Sequence, residues 1–202
     1  MSELDPATTA QRKAELRKLA AARRSALVGR ASLSTVICTR LLGLEQFVAA
    51  QAIHCYLPIR SEVDVRPVVA AALAAGKAVA IPVTVGGTLE HSWIDGLEPE
   101  RFTPGVLGTP RPRTLRPARE GDWSLTIVPM LAFDRDGYRL GYGKGLYDQL
   151  LAAIDGYAVG VAFAAQEVEA LPHEAHDIPL DLIVTERELI APRQGVSKAS
   201  GS

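Results

Sequence analysis

The sequence predicts an α/β fold: a single domain with a mixed, mostly parallel sheet flanked by helices on both faces. Three observations carry this. Short apolar runs of strand length alternate with alanine- and leucine-rich runs of helical length. The succession AIHCYLP, EVDVRPVVAAALAAGK, AVAIPVTV has the strand–helix–strand order that demands parallel pairing through a right-handed crossover. With 202 residues, 48% of them hydrophobic and 22% charged, the chain suits one core better than two.

Taken in order, residues 7–28 read as a helix. Ala, Leu, Lys and Arg dominate, and Leu16, Leu19 and Leu27 recur near helical spacing. A second helix is expected over 33–50. AIHCYLP at 52–58 is a strand, and a helix follows that Gly76 is well placed to stop. AVAIPVTV closes the unit. From 97 to 122 the character changes: five prolines and five arginines occur without periodicity, which predicts a long functional or mobile loop. The pattern resumes with the apolar strand SLTIVPMLAF. LYDQLLAAI is helical with Leu146, Leu150 and Ile154 on one face, and YAVGVAF and LDLIVT are two more buried strands. The domain is expected to span 1–190, with a small, polar, disordered tail at 191–202.

Composition excludes several classes. A net charge of -1 leaves no global basic field, which argues against a protein that binds nucleic acid through its phosphate backbone. The longest apolar run, VVAAALAA at 68–75, is too short to span a bilayer, and MSELDPATTA has no apolar signal core. Cys38 and Cys55 sit in apolar surroundings without metal-ligand spacing, so buried reduced thiols and a cytoplasmic address are expected.

The densest chemistry is RLGYGKGLYD at 139–148, with three alternate glycines, two cations and an acid. A dinucleotide fingerprint starting at Gly141 would need glycine where Leu146 stands. A P-loop would need Ser or Thr where Gly145 stands. The physics of those motifs still applies. Bare backbone N–H groups at a helix start can approach an anion closely, and Arg139 and Lys144 bring full charges. Asp148 could take a hard cation such as Mg2+ bridging phosphates. The plain alternative is a tight strand-to-helix turn with solvated charges.

Other groups admit two readings each. His173, Glu174, His176 and Asp177 in LPHEAHD do not form HExxH, and a loop with one useful acid is preferred to a zinc site. Glu62 and Asp64 follow a strand end, where α/β folds place ligands, but capping of the next helix explains them equally well. Lys13 and Arg17, four apart, are either an anion-binding pair or a solvated helix face.

Taken together, KAELR at 13–17, YLPIRSEVDVRP at 56–67, FDRDGYRLGYGKGLYD at 133–148 and GVAFAAQEVEALPHEAHDIPLDLIVTE at 160–186 resemble the 5-formyltetrahydrofolate cyclo-ligase (5,10-methenyltetrahydrofolate synthetase) family. The order and spacing agree over roughly residues 10–190. The resemblance implies an ATP- and Mg2+-dependent monomeric enzyme that closes 5-formyltetrahydrofolate to 5,10-methenyltetrahydrofolate, releasing ADP and phosphate. It implies that Lys13, Arg17, Arg139, Lys144, Tyr147 and the backbone of Gly141, Tyr142, Gly143 and Gly145 hold ATP. Asp148 and Asp177 would hold Mg2+. Leu57, Glu62, Tyr142, Gly143, Lys144, Gly145 and Leu146 would border the reduced folate, with Arg139, Lys144 and Glu62 catalytic. Two positions depart from the family pattern: Leu146 replaces an aromatic residue, and Arg111 in GTPRP replaces an acid. They leave open an ATP-using enzyme of the same scaffold with another acceptor. A non-catalytic nucleotide- or RNA-binding module is the remaining alternative, resting on the arginine-rich loop 101–119 alone.

Overall fold

The computed structural model of the chain describes residues 6–174 and 177–192. His176 and the tail from 193 onward therefore lie outside the described residues. Helix α1 (Pro6–Ala26) is followed by α2 (Arg30–Leu42), α3 (Glu45–Ala49), strand β1 (Ala52–Cys55), α4 (Arg66–Ala74), β2 (Ala78–Val85) and β3 (Thr88–Ile94). Short strands β4 (Phe102–Pro104), β5 (Pro110–Pro112) and β6 (Pro117–Ala118) precede β7 (Leu125–Pro129), β8 (Ala132–Phe133) and β9 (Arg139–Leu140). The chain continues through α5 (Leu146–Ala153), β10 (Tyr157–Val161), β11 (Leu182–Val184) and β12 (Leu189–Ile190).

Eight strands form one sheet in the order β12-β11-β10-β7-β1-β2-β3-β6. The five central strands, β11 to β2, pair in parallel, and the outer pairings are antiparallel. This is the mixed, mostly parallel sheet that the sequence predicts. Strand alternation then sorts side chains into two cores. Ile53, Cys55, Leu125, Ile127, Val159 and Val161 face a layer of Ile37 and Leu41 from α2, Phe47 from α3, and Val68, Val69 and Ala72 from α4. On the other face Ala80, Val128, Ala158 and Ile183 pack against Leu150 and Leu151 of α5. Truncating a side chain as enclosed as Leu41, 1% exposed, would cost about 2–5 kcal/mol. Helix α1 packs apart from both, with Ala20 against Leu131, Ala132, Leu140 and Leu171 of the β8–β9 hairpin region.

Several boundaries differ from the sequence expectation. The helix expected over 33–50 is two, because Gly43 closes α2 and Leu44 turns extended before α3. Strand AIHCYLP stops at Cys55, so Tyr56 and Leu57 run on as irregular chain. SLTIVPMLAF is two strands in two sheets. Pro129 has no N–H to extend the ladder. The Met130 carbonyl accepts from Arg24 Nη1 and Gln166 Nε2, and the Leu131 carbonyl from the same Gln166 amide, so side chains take these two carbonyls, while the Leu131 N–H turns to the Leu140 carbonyl at 2.7 Å.

The largest correction concerns 97–122. This segment carries the β4–β5 hairpin and the edge strand β6, held by ion pairs of Arg101 and Arg116 with Asp95 and of Arg101 with Glu98. Strand β3 also went unanticipated. Gly86 and Gly87 have φ of 58° and 93°, the double positive-φ turn that joins antiparallel strands of matching twist.

Candidate active site

A cleft of about 440 Å³ opens at the carboxyl ends of β1, β2 and β7, where parallel α/β sheets place ligands. Helix α1 and the glycine segment 139–148 wall one side. Residues from β2, β3 and the Val106–Pro110 turn wall the other. All fourteen residues expected from sequence to bind ATP, folate or metal line this single cleft, from Lys13 and Arg17 through Leu57 and Glu62 to Leu146, Tyr147, Asp148 and Asp177.

One half is cationic. Lys13 Nζ lies 2.7 Å from Asp177 Oδ2 and 3.1 Å from Glu174 Oε2. Burial pulls its pKa down, but the bonds to those two acids outweigh burial and leave it raised. Arg17 Nε donates to the Gly141 carbonyl at 3.0 Å. Its guanidinium lies flat against Gly143, where a Cβ would come within 2.9 Å of Arg17 Cζ. Gly143 and Gly145 both have positive φ, of 93° and 65°, so glycine here is a backbone requirement as well as a clearance. Gly145 is the N-cap of α5, whose first turn holds Asp148.

Arg139 is the pivot of this half. Its side chain is 4% exposed, donates from Nη2 to Asp148 Oδ1 at 2.6 Å and from Nη1 to the Ile178 carbonyl at 2.5 Å. Burial lowers its pKa against the opposing fields of Asp148 and Asp177. Both acids therefore lie within electrostatic reach of one guanidinium. Lys144 reaches the same wall from an exposed position.

The other half is apolar, with Tyr56, Leu57, Ile59, Ile81, Pro82, Leu89 and Val106 around one acid. Glu62 Oε2 accepts the Ile59 N–H at 2.9 Å, and Oε1 accepts the Tyr142 hydroxyl at 3.2 Å. Burial raises the Glu62 pKa, opposed by the Ile59 bond, the charges of Arg24 and Arg60, and the Tyr142 bond. Asp64, by contrast, bonds the Arg66 backbone N–H and side chain in a local turn. The two acids that sequence could not separate thus divide: Asp64 ends a loop, and Glu62 faces the cleft. Tyr142 links the halves, since it belongs to the glycine segment yet bonds the acid of the apolar half. The Tyr147 hydroxyl is buried in the cleft wall without a hydrogen-bond partner among the described residues. Burial pushes its pKa up.

A family model described as the 5-formyltetrahydrofolate cyclo-ligase family matches residues 9–186. The chain belongs to that family. A 5-formyltetrahydrofolate cyclo-ligase of Escherichia coli strain K12 is 32% identical over 155 residues, covering 73% of this chain and 84% of the relative. One from Mycolicibacterium smegmatis is 28% identical, covering 74% and 77%. The solved 5,10-methenyltetrahydrofolate synthetase of Aquifex aeolicus superposes with a TM-score of 0.80 at 35% identity, over 92% of this chain and 95% of that one. The Mycoplasma pneumoniae synthetase gives 0.69 at 26% identity, over 86% and 98%.

Within the cyclo-ligase frame, other sequence readings resolve. His173 stacks on Tyr138 with ring centroids 3.8 Å apart, and His176 of the same motif lies outside the described residues. Leu146 lines the cleft, whereas Arg111 lies one residue beyond the lining Pro110. Sequence reasoning missed Thr84, Leu89, Val106 and Thr109 in the lining: Thr84 lies on a strand that it read without a role in the site, Leu89 on the unexpected strand β3, and Val106 and Thr109 in the segment read as loop. It also missed Arg24, a 2%-exposed guanidinium behind Tyr142. Its only sequence signal is an arginine seven residues after Arg17 on the same helix face.

Proposed function

We propose that this cleft performs the ATP-dependent ring closure of 5-formyltetrahydrofolate to 5,10-methenyltetrahydrofolate, with ATP phosphates in the cationic half and the reduced folate in the apolar half. The observation that carries this is the joining of the halves by one segment. The backbone that offers bare glycines to phosphate also supplies Tyr142, which bonds the half-buried acid Glu62.

The chemistry needs positioning more than a protein nucleophile. A formyl oxygen is a poor leaving group. It attacks the γ-phosphorus, the bond from phosphorus to the bridging oxygen breaks, and ADP departs. The N10 lone pair then adds to the activated formyl carbon, N10 gives up its proton, and the carbon–oxygen bond breaks to release phosphate. Charge accumulates on the transferred phosphoryl oxygens, where Arg139, Lys144, Lys13 and Arg17 neutralise it and the glycine N–H groups orient it. Glu62 accepts a hydrogen bond from the reduced pterin, while Leu57 and Leu146 exclude water beside the formyl group. Tyr147 is assigned to the nucleotide, and its hydroxyl lies within electrostatic reach of both Arg139 and Glu62, where the two halves meet.

Asp148 and Asp177 would hold Mg2+. Two carboxylates near one buried guanidinium fit an ion that takes most of its remaining oxygens from phosphate and water. When bound, the ion would supply neutralisation of phosphate charge. The acids are paired with Arg139 and Lys13, two cations that phosphate oxygens can attract in turn. The reading includes a monomer with a cytoplasmic address, and buried, unbridged Cys38 and Cys55 favour that address. Arginines 101 and 116 of the basic loop are neutralised by Asp95 and Glu98, which counts against a nucleic-acid surface there.

The test is purified chain with 5-formyltetrahydrofolate and Mg2+, started with ATP and followed in the near ultraviolet, where the methenyl bridge conjugates N5 to N10. Absorbance that grows only with both ATP and metal supports the reading. ATP binding with no folate turnover would refute the acceptor.

A further inference from the structure

Helix α1 presents three cations on one face. Lys13, Arg17 and Arg24 are separated by four and seven residues, which at about 100° per residue keeps them within one narrow stripe over about 16 Å of helix. Each meets a different part of the cleft wall. Lys13 bonds Asp177, Arg17 bonds the Gly141 carbonyl, and Arg24 Nη2 donates to the Tyr142 hydroxyl at 2.8 Å. The first two belong to the phosphate half. Arg24 lies behind the cleft rather than in its lining.

Its setting is unusual for a guanidinium. Nε donates to Ser61 Oγ at 3.1 Å, and Nη1 donates to the Met130 carbonyl at 3.1 Å. With Tyr142, every guanidinium nitrogen is thus bonded to a neutral acceptor, in a residue only 2% exposed. Among the described residues no carboxylate bonds Arg24 directly. A buried cation is costly unless a charge compensates it, and the Tyr142 hydroxyl leads to one. The Tyr142 hydroxyl donates in turn to Glu62 Oε1 at 3.2 Å, and the Ile59 N–H donates to Oε2.

From this relay we infer that Arg24 is a positioning residue for the folate-side acid, acting through Tyr142 to orient the Glu62 carboxylate and tie it to the helix that carries the phosphate-binding cations. The inference rests on the cyclo-ligase reading above. Neutral hydrocarbon in place of Arg24 would leave Tyr142 free to swing from Glu62 and would remove a compensating charge. The groups facing Glu62 are then Arg60, whose guanidinium sits 5.7 Å from the Tyr142 ring centroid, and the hydroxyls of Tyr56, Tyr142 and Tyr147. Burial already favours the protonated acid, so losing the Arg24 charge favours it further.

Wild type, Arg24→Met, Arg24→Lys and Tyr142→Phe are assayed for methenyl formation across pH 5.5–9, with ATP and folate varied separately. Loss of a charge-assisted bond predicts a fall in kcat/KM for folate of roughly ten- to a hundredfold in Arg24→Met. That fall is larger at acid than at alkaline pH, while the KM for ATP changes little. Arg24→Lys, which keeps the charge, restores the pH profile in part. Tyr142→Phe shows the same acid-weighted loss, and combining it with Arg24→Met adds little. A uniform loss across pH with additive effects, or a Tm change alone, overturns the inference. If Arg24→Met does not fold, Tyr142→Phe decides: an unmoved profile refutes the relay. Wild type inactive on folate would instead refute the cyclo-ligase reading, and the inference with it.

Discussion

Replacing Gly143 with alanine separates the two things that glycine does in this loop. At φ 93° an L-residue is strained by about 1–3 kcal/mol. An ordinary domain has about 5–15 kcal/mol of stability, so the variant folds. The added Cβ meets Arg17 at 2.9 Å from Cζ, 3.1 Å from Nε and 3.2 Å from Nη2. These atoms end a flexible side chain, so the guanidinium moves and the backbone does not. Moving it breaks the 3.0 Å bond from Nε to the Gly141 carbonyl. A hydrogen bond from a charged donor contributes about 1.5–3 kcal/mol, which is roughly a ten- to hundredfold rise in the KM for ATP. Steady-state initial rates with ATP varied at saturating folate measure it, with a thermal melt to confirm folding. The folate KM should move far less. Gly143→Ala with wild-type ATP kinetics would refute the proposed role of Arg17 and the glycine segment in holding ATP. So would a full additional loss in the Arg17→Ala/Gly143→Ala double variant.

Three further outcomes follow from the same geometry. Asp148→Asn should reduce turnover at least tenfold and raise the Mg2+ requirement while folate binding by titration calorimetry is retained; unchanged metal dependence would remove Asp148 as a ligand. Glu62→Gln should raise the KM for folate more than that for ATP, and it should also raise Tm at neutral pH. The sign comes from burial: the folded pKa of Glu62 is raised, so ionising it costs the fold more than the unfolded chain, and the gain from Gln vanishes as pH falls. A lower Tm in Glu62→Gln at pH 8 would contradict this. On the opposite sheet face His54 is fully buried, bonded from Nε2 to His91 Nδ1 at 3.1 Å and stacked on Trp123, with His91 facing Glu120 and Glu90. Burial lowers the pKa of both rings, so the unfolded chain takes up protons first and stability falls as pH drops below about 6.5. Urea midpoints at pH 7 and pH 5 should show that fall, and it should be smaller in His54→Gln; equal falls would contradict it.

The central sheet was readable because its strands are buried on both faces. LTIVP and YAVGV are nearly continuous apolar runs, and no other element accommodates them at that length. The outer sheet was less readable for physical reasons. β3 mixes His91, Ser92 and Glu90 into a strand that looks polar in sequence, and its burial comes from Trp123 and His54 across the sheet. β4 to β6 are two or three residues long and rich in proline, so only pairing partners distant in sequence define them. The cleft divided in the same way. RLGYGKGLYD is compact and its residues act together, so sequence alone marks it. Glu62 and Asp64 cannot be told apart locally, because what separates them is Tyr142, eighty positions from Glu62. Arg24 carries only its spacing from Arg17 as a signal, since its three partners come from three separate segments.

The central claim is that ATP activates the formyl oxygen itself. The most direct measurement uses 5-formyltetrahydrofolate labelled with oxygen-18 in the formyl group, turned over by the purified chain with ATP and Mg2+. Phosphorus NMR of the released inorganic phosphate then reads where the label went. The mechanism requires one labelled oxygen in phosphate for each methenyl product formed. Unlabelled phosphate, with the label in water, would contradict it.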